Sequence, residues 1–121
     1  MTKIFLFDTY AILEIIKGNP SYLPYKNVII RTTQLVLFEL YYSLLKENSQ
    51  QIDRYFKKYY AYIIPCPQTV IREAASFRYT HKKLKLSMTD CIGYCLAQQL
   101  RIPFLTGDQA FCNMDGVEFV K

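Results

Sequence analysis

The chain has 121 residues, 51% of them apolar and 21% charged, with eleven Tyr, eight Phe and a formal net charge of +5. This length and composition point to one domain over residues 1–121 and exclude a disordered tail or low-complexity linker. No apolar run approaches the ~18 residues of a membrane span, and Asp8 interrupts the apolar opening. We therefore expect neither a span nor a signal peptide, and a soluble cytoplasmic protein.

Residues 3–7 form a short apolar run ending at Asp8, the pattern of a buried strand. Residues 9–17 carry apolar side chains at helical spacing until Gly18-Asn19-Pro20 stops them. A second strand is expected over 27–31, and Thr32 or Thr33 then caps a long helix to about Glu47. Residues 53–61 look helical, and 62–64 read as a third strand punctuated by Pro65 and Pro67. Helices are expected over 68–83 and 87–100. Strands follow at 102–105 and 117–120, separated by Thr106-Gly107-Asp108. Strands alternating with helices mean βαβ units, hence an α/β fold with a mainly parallel sheet covered on both faces. Such sheets bind ligands outside the carboxyl ends of their strands, near the point where strand order reverses.

The four cysteines (Cys66, Cys91, Cys95, Cys112) lack C-x-x-C spacing and are expected to be reduced and mostly buried. His81 is the one histidine, so a His–His acid/base pair is excluded and the chemistry falls mainly to carboxylates or to metal that they hold. Basic residues concentrate between Arg54 and Lys85. Eight lie there (Arg54, Lys57, Lys58, Arg72, Arg78, Lys82, Lys83, Lys85) against one acid, Glu73, and aromatic residues interleave with them. Cations beside rings suit single-stranded nucleic acid, where phosphates meet Lys or Arg and bases stack; solvated helix faces with inward-turned rings would give the same pattern.

Four acids stand out. Asp8 follows the first strand and Asp108 the strand at 102–105; each either caps the helix that follows it or faces a ligand rim. Glu39 lies in a helix apolar on almost every side, which places it at or near the interior. There it needs a buried Arg, a Tyr hydroxyl or a metal as partner. Asp90 completes a capping box with Ser87, and shares a helix face with Gly93 and Ala97, whose small size lets that helix approach the sheet. Converging at one rim, these carboxylates would repel by roughly 4 kcal/mol per pair ~4 Å apart at an effective dielectric of 20. Such a cluster must take up protons or a cation, and hard oxygen donors favour Mg²⁺ or Mn²⁺ over zinc.

The apolar strand before Asp8-Thr9, the mid-helix Glu39, the run Leu86-Ser87-x-x-Asp90-Cys91-x-Gly93-x-x-Leu96-Ala97 and the run Phe104-Leu105-Thr106-Gly107-Asp108-x-x-Phe111 together resemble the PIN-domain nucleases, including VapC-type toxins. The resemblance spans almost the whole chain. It implies a three-layer α/β/α sandwich and an acidic quartet of Asp8, Glu39, Asp90 and Asp108 that holds metal and carries catalysis. It also implies Mg²⁺- or Mn²⁺-dependent cleavage of RNA, with Thr106 positioning a water. A homodimer and a cognate antitoxin partner belong to the same expectation. Arg54, Lys57, Lys58, Arg78, Lys82, Lys83 and Lys85 would track the RNA backbone. Tyr10 departs from the small polar residue common at that position, and its ring would narrow the groove or stack on a base. Asp115 ranks below Asp108 as a ligand. A phosphoacceptor receiver domain would need an acidic pair after the first strand, where only Asp8 stands. A non-catalytic RNA-binding or protein-interaction module on the same fold is the alternative reading.

Overall fold

The computed structural model describes residues 3–121. Strand β1 (Ile4–Phe7) lies between β2 (Ile29–Arg31) and β3 (Phe104–Thr106), and β4 (Val117–Phe119) extends the sheet beyond β3. All pairings are parallel, with Phe5 opposite Ile30, Leu6 opposite Phe104 and Leu105 opposite Glu118. In the order β2-β1-β3-β4 the chain leaves β1 to one side and β3 to the other. The connections after these two neighbouring strands therefore part and leave a crevice at their carboxyl ends.

Alternation along β1 divides the core. Phe5 and Phe7 join Ile12, Leu37, Leu40 and Tyr59 on the face covered by α1 (Thr9–Lys17), α2 (Gln34–Lys46) and α3 (Ile52–Tyr60). Leu6 joins Val70, Ala74, Tyr94, Leu96 and Phe104 on the face covered by α4 (Gln68–Thr80) and α5 (Met88–Leu100). The result is the three-layer α/β/α sandwich with a parallel sheet that the sequence implies. Among the described residues no helix is long and apolar enough to cross a membrane.

Several elements differ from expectation for local reasons. Residues 62–64 contribute a single bridge, Ile63 to Thr32, rather than a full strand. Thr32 exchanges two hydrogen bonds with that segment, but Pro65 and Pro67 follow at once and proline cannot donate to a ladder. The helix expected to reach residue 83 ends at Thr80; Lys82–Leu84 form a 3-10 turn, and Lys85 takes a left-handed conformation (φ 54°). Residues Pro20–Tyr25, unassigned from sequence, form a 3-10 helix capped by Asn19. Helix α2 is not enclosed: Phe38 is 73% exposed, and Tyr42 and Leu45 are also exposed. Of the cysteines, all free, only Cys91 and Cys95 are buried.

Helix α5 comes unusually near the sheet because position 93 has no side chain. A Cβ on Gly93 would lie 2.9 Å from the Phe104 ring and 3.7 Å from Leu6. Glycine inside a helix costs about 1 kcal/mol relative to alanine, so helix propensity argues against it and the close approach explains it. That approach brings Asp90, one turn earlier, toward the crevice. Because Phe104 is fully buried and cannot swing away, Gly93→Val should destabilise the fold by about 1–3 kcal/mol through overpacking. Urea unfolding checks this, and an unchanged midpoint would contradict the packing argument.

Candidate active site

Asp8 is the residue after β1 and the N-cap of α1. Its backbone N–H continues the β1–β3 ladder by donating to the Leu105 carbonyl (3.1 Å). Its Oδ1 accepts from the Thr9 N–H and its Oδ2 from the Thr106 hydroxyl, both at 2.8 Å. The residue is only 3% exposed. The buried Thr106 Oγ1 also accepts from the Asp108 N–H (3.1 Å), and Asp108 in turn caps the short 3-10 turn Gln109–Phe111 through Ala110 (3.0 Å). On the other side, Thr9 Oγ1 donates to Glu39 Oε1 (2.8 Å). One continuous chain of hydrogen bonds thus runs Glu39–Thr9–Asp8–Thr106–Asp108.

Asp90 enters from α5 through its capping box: its Oδ2 accepts from the Ser87 N–H (3.2 Å) and its N–H donates to Ser87 Oγ (3.0 Å). Electrostatics ties it to the others. Burial, and then the Asp90 charge, push the Asp8 carboxyl from 3.8 up to about 7 against the two hydrogen bonds it accepts. Burial also raises Asp90; its Ser87 hydrogen bonds oppose the shift, while the charges of Asp108 and Glu39 reinforce it. Carboxylates from a strand end, two helix starts and a mid-helix position therefore sense one another at the carboxyl ends of β1 and β3.

The donor set fits a hard divalent cation. Among the described residues Glu39 Oε2, Asp90 Oδ1 and Asp108 Oδ2 have no hydrogen-bond partner, and no Lys or Arg forms an ion pair with any of the four acids. In the arrangement seen, no three described His, Cys, Asp or Glu side chains already stand in metal-holding geometry. Each carboxylate is engaged on its own cap or hydroxyl.

Glu39 differs from expectation in two ways. It is half-buried rather than interior, because α2 turns its Phe38–Tyr42 side to solvent. Its partner is the Thr9 hydroxyl, not Arg or Tyr. Thr9 was not singled out from sequence; a hydroxyl at a buried first helical position was the available signal. Asp115 is exposed and contributes its backbone carbonyl, which accepts from Tyr94 and Gln98.

The cations fall into two groups. Arg54, Lys57 and Lys58 are exposed on α3 and line a shallow groove of about 830 Å³. Arg78 is exposed in the last turn of α4, and Lys82, Lys83 and Lys85 are exposed on the connection from α4 to α5, which leads into Ser87 and Asp90. Arg78 Nε donates to the Leu86 carbonyl (3.0 Å), and Lys82 lies over the Tyr79 ring (5.0 Å to its centroid). Among the described residues the one salt bridge is Lys17–Glu14, so none of these seven cations is ion-paired.

The family model for the PIN domain matches residues 5–117. Solved structures with the same fold include a toxin–antitoxin complex from Klebsiella pneumoniae (TM-score 0.69, 21% identity, covering 93% of this chain and 94% of that one). A Pyrobaculum aerophilum protein is similar at TM-score 0.72 and 16% identity over 98% of this chain and 92% of its own. VapBC2 from Rickettsia felis, bound to a DNA fragment from their promoter, is similar at TM-score 0.74 and 19% identity over 98% and 99%. No curated protein matches the sequence.

The buried Asp8 has a consequence for stability. Its folded pKa of about 7 lies above the ordinary value of 3.8. Between those pH values the unfolded chain has released a proton that the folded chain keeps, so stability falls as pH rises from about 4 to about 7 and then levels. Asp8→Asn keeps an oxygen for the Thr9 N–H and removes this loss. In chelator, its unfolding free energy should exceed that of wild type by a margin that opens across this interval, to at most about 4 kcal/mol. A difference independent of pH would contradict the buried charge.

Proposed function

Because the chain belongs to the PIN-domain family, whose members are generally nucleases, we propose that it is a divalent-metal-dependent endoribonuclease and the toxin of a toxin–antitoxin pair. The observation that carries this reading is the water-excluded Asp8 at the strand-order reversal, hydrogen-bonded through Thr9 toward Glu39 and through Thr106 toward Asp108. The toxin assignment draws support from the likeness to the Klebsiella pneumoniae and Rickettsia felis complexes. By analogy with them, a cognate antitoxin is the partner; the homodimer is proposed from the family resemblance alone.

Asp8, Glu39, Asp90 and Asp108 would hold Mg²⁺ or Mn²⁺. When bound, the ion lowers the pKa of water and neutralises charge developing on the phosphate. The chain's own groups do the rest. The Asp8 carboxyl, held at Oδ2 by the Thr106 hydroxyl, would ionise once a cation offsets the burial and the Asp90 charge that raise its pKa. Thr106, whose hydroxyl joins Asp8 to Asp108, orients a water beside them. Arg78, Lys82, Lys83 and Lys85 lead the RNA backbone toward Asp90, and Arg54, Lys57 and Lys58 offer a second stretch of positive surface. Water adds to phosphorus as the 3′ oxygen leaves and takes a proton, so the products carry 5′-phosphate and 3′-hydroxyl ends. No 2′-hydroxyl attack is required, in keeping with a chain that has a single histidine.

Incubating a defined RNA pool with and without EDTA, followed by end mapping, tests this reading. Cleavage should require Mg²⁺ or Mn²⁺, leave those ends and vanish in Asp8→Asn/Asp90→Asn while the fold persists. Undiminished cleavage by that double variant would refute the acidic assignment. Wild type that binds RNA but neither cuts it nor takes up Mn²⁺ would favour the non-catalytic module. The triple variant Lys82→Ala/Lys83→Ala/Lys85→Ala should lower the slope of log affinity against log salt by up to about 2. An unchanged slope would remove this segment from the RNA path.

A further inference from the structure

Tyr10 is the second residue of α1, and the structure turns its ring inward, against the turn that carries Asp108. Gly107, between Thr106 and Asp108, is buried. A Cβ placed on it would collide with Cε1 and Cζ of the Tyr10 ring and with the Val120 carbonyl oxygen. Gly107 thus packs directly against both the ring and the strand end. The strand end is itself fixed: the Val120 N–H donates to the Thr106 carbonyl (2.9 Å), and the buried Tyr22 hydroxyl donates to the Val120 carbonyl. Tyr10 packs with the remaining partly buried residues on the α1–α2 core, and no side-chain hydrogen bond is formed by its hydroxyl among the described residues. The ring supplies the contact.

We propose that Tyr10 is a positioning residue that sets the place of Asp108 relative to Asp8, rather than a surface for stacking a base. The proposal rests on the nuclease reading for its catalytic consequence, but its structural part stands on the Gly107 contact alone. The first turn of α1 then holds three of the acids by three successive residues. Asp8 is one of the acids, Thr9 binds Glu39 through its hydroxyl, and Tyr10 braces the peptide joining Thr106 to Asp108. Without the ring, Gly107 loses one of the two surfaces it packs against. The Thr106 Oγ1 acceptor can then move off the Asp108 N–H. Glycine at 107 is required by the same packing, since any side chain would displace either the ring or the strand end.

The test compares wild type, Tyr10→Phe and Tyr10→Ala as full chains. Amide hydrogen exchange at Asp108 is measured without metal, Mn²⁺ uptake by calorimetry without RNA, and single-stranded RNA binding in EDTA. Tyr10→Phe keeps the ring and should match wild type in all three. Tyr10→Ala should speed Asp108 exchange by about tenfold or more, because that N–H loses a fixed acceptor. It should weaken Mn²⁺ binding by about tenfold, the usual scale for a lost supporting contact, and lower kcat with KM unchanged. Its RNA affinity in EDTA should equal that of wild type. If Tyr10→Ala does not fold, Tyr10→Leu, which lacks the flat ring, carries the same comparison. Unchanged Asp108 exchange in the variant overturns the proposal, and so does a loss of RNA affinity with Mn²⁺ binding intact, the signature of base stacking. Wild type that takes up no Mn²⁺ would instead overturn the nuclease reading, and the exchange comparison would still decide the role of Tyr10.

Discussion

The Asp8 carboxyl is almost wholly removed from water, and among the described residues it meets two dipoles, the Thr9 amide and the Thr106 hydroxyl, but no ion-paired cation. Two hydrogen bonds of this kind each favour the charged form, yet burial outweighs them and the charge of Asp90 adds to the imbalance. A carboxyl in that position must hold a proton or meet positive charge from outside the chain near neutral pH. Among the described residues no Lys or Arg forms an ion pair with it, and the basic residues from Arg54 to Lys85 stand exposed on α3, on α4 and on the approach to α5. These basic residues and the acidic centre therefore stand apart, the arrangement that the proposed metal-dependent cleavage of RNA calls for.

The location of that imbalance follows from topology. Only between β1 and β3 do neighbouring strands send their chains to opposite sides, and Asp8 and Thr106 end those strands side by side. The other two acids are delivered by helices whose approach the sequence controls directly. Gly93 lets α5 settle on Leu6 and Phe104, and Thr33 caps α2 so that Glu39 reaches the Thr9 hydroxyl. The site thus depends on long-range packing that sits far from it in sequence.

Most of this frame was legible before the structure, because the signals were local and strong. The strand–Asp–helix transition at 8, the Ser87/Asp90 capping box and the Thr33 cap each form as their residue types dictate. Asp8 and Asp108 also follow β1 and β3, and Asp90 opens α5, as their sequence positions indicated. What escaped was decided by tertiary context. Glu39 was read as interior from apolar neighbours, but α2 leaves Phe38 and Tyr42 in water, so its burial is partial. Thr9 gave no sign of its bond across 30 positions to Glu39, and Tyr10, noted from sequence only as a ring that would narrow the groove or stack on a base, packs against Gly107 near the far end of the chain. Residues 62–64 had strand-forming composition, and proline spacing limited them to one bridge.

Capping alone does not account for the charge at these positions. Asn caps a helix about as well as Asp, by the same acceptor and without the cost of burial. Asp gains roughly 0.3–1 kcal/mol more from the dipole of a helix start, and only for a helix longer than the three-residue turn that follows Asp108. At Asp8 that gain is set against burial strong enough to move its titration to about 7, and against a like charge at Asp90. Folding by itself would therefore be better served by Asn at position 8, with the same bond from Thr9. The carboxylate is retained at a net expense in stability, and the hydroxyls of Thr9 and Thr106 hold it and its neighbours in place. The caps fix where the acids stand; why they are acids is a matter of what positive charge they meet.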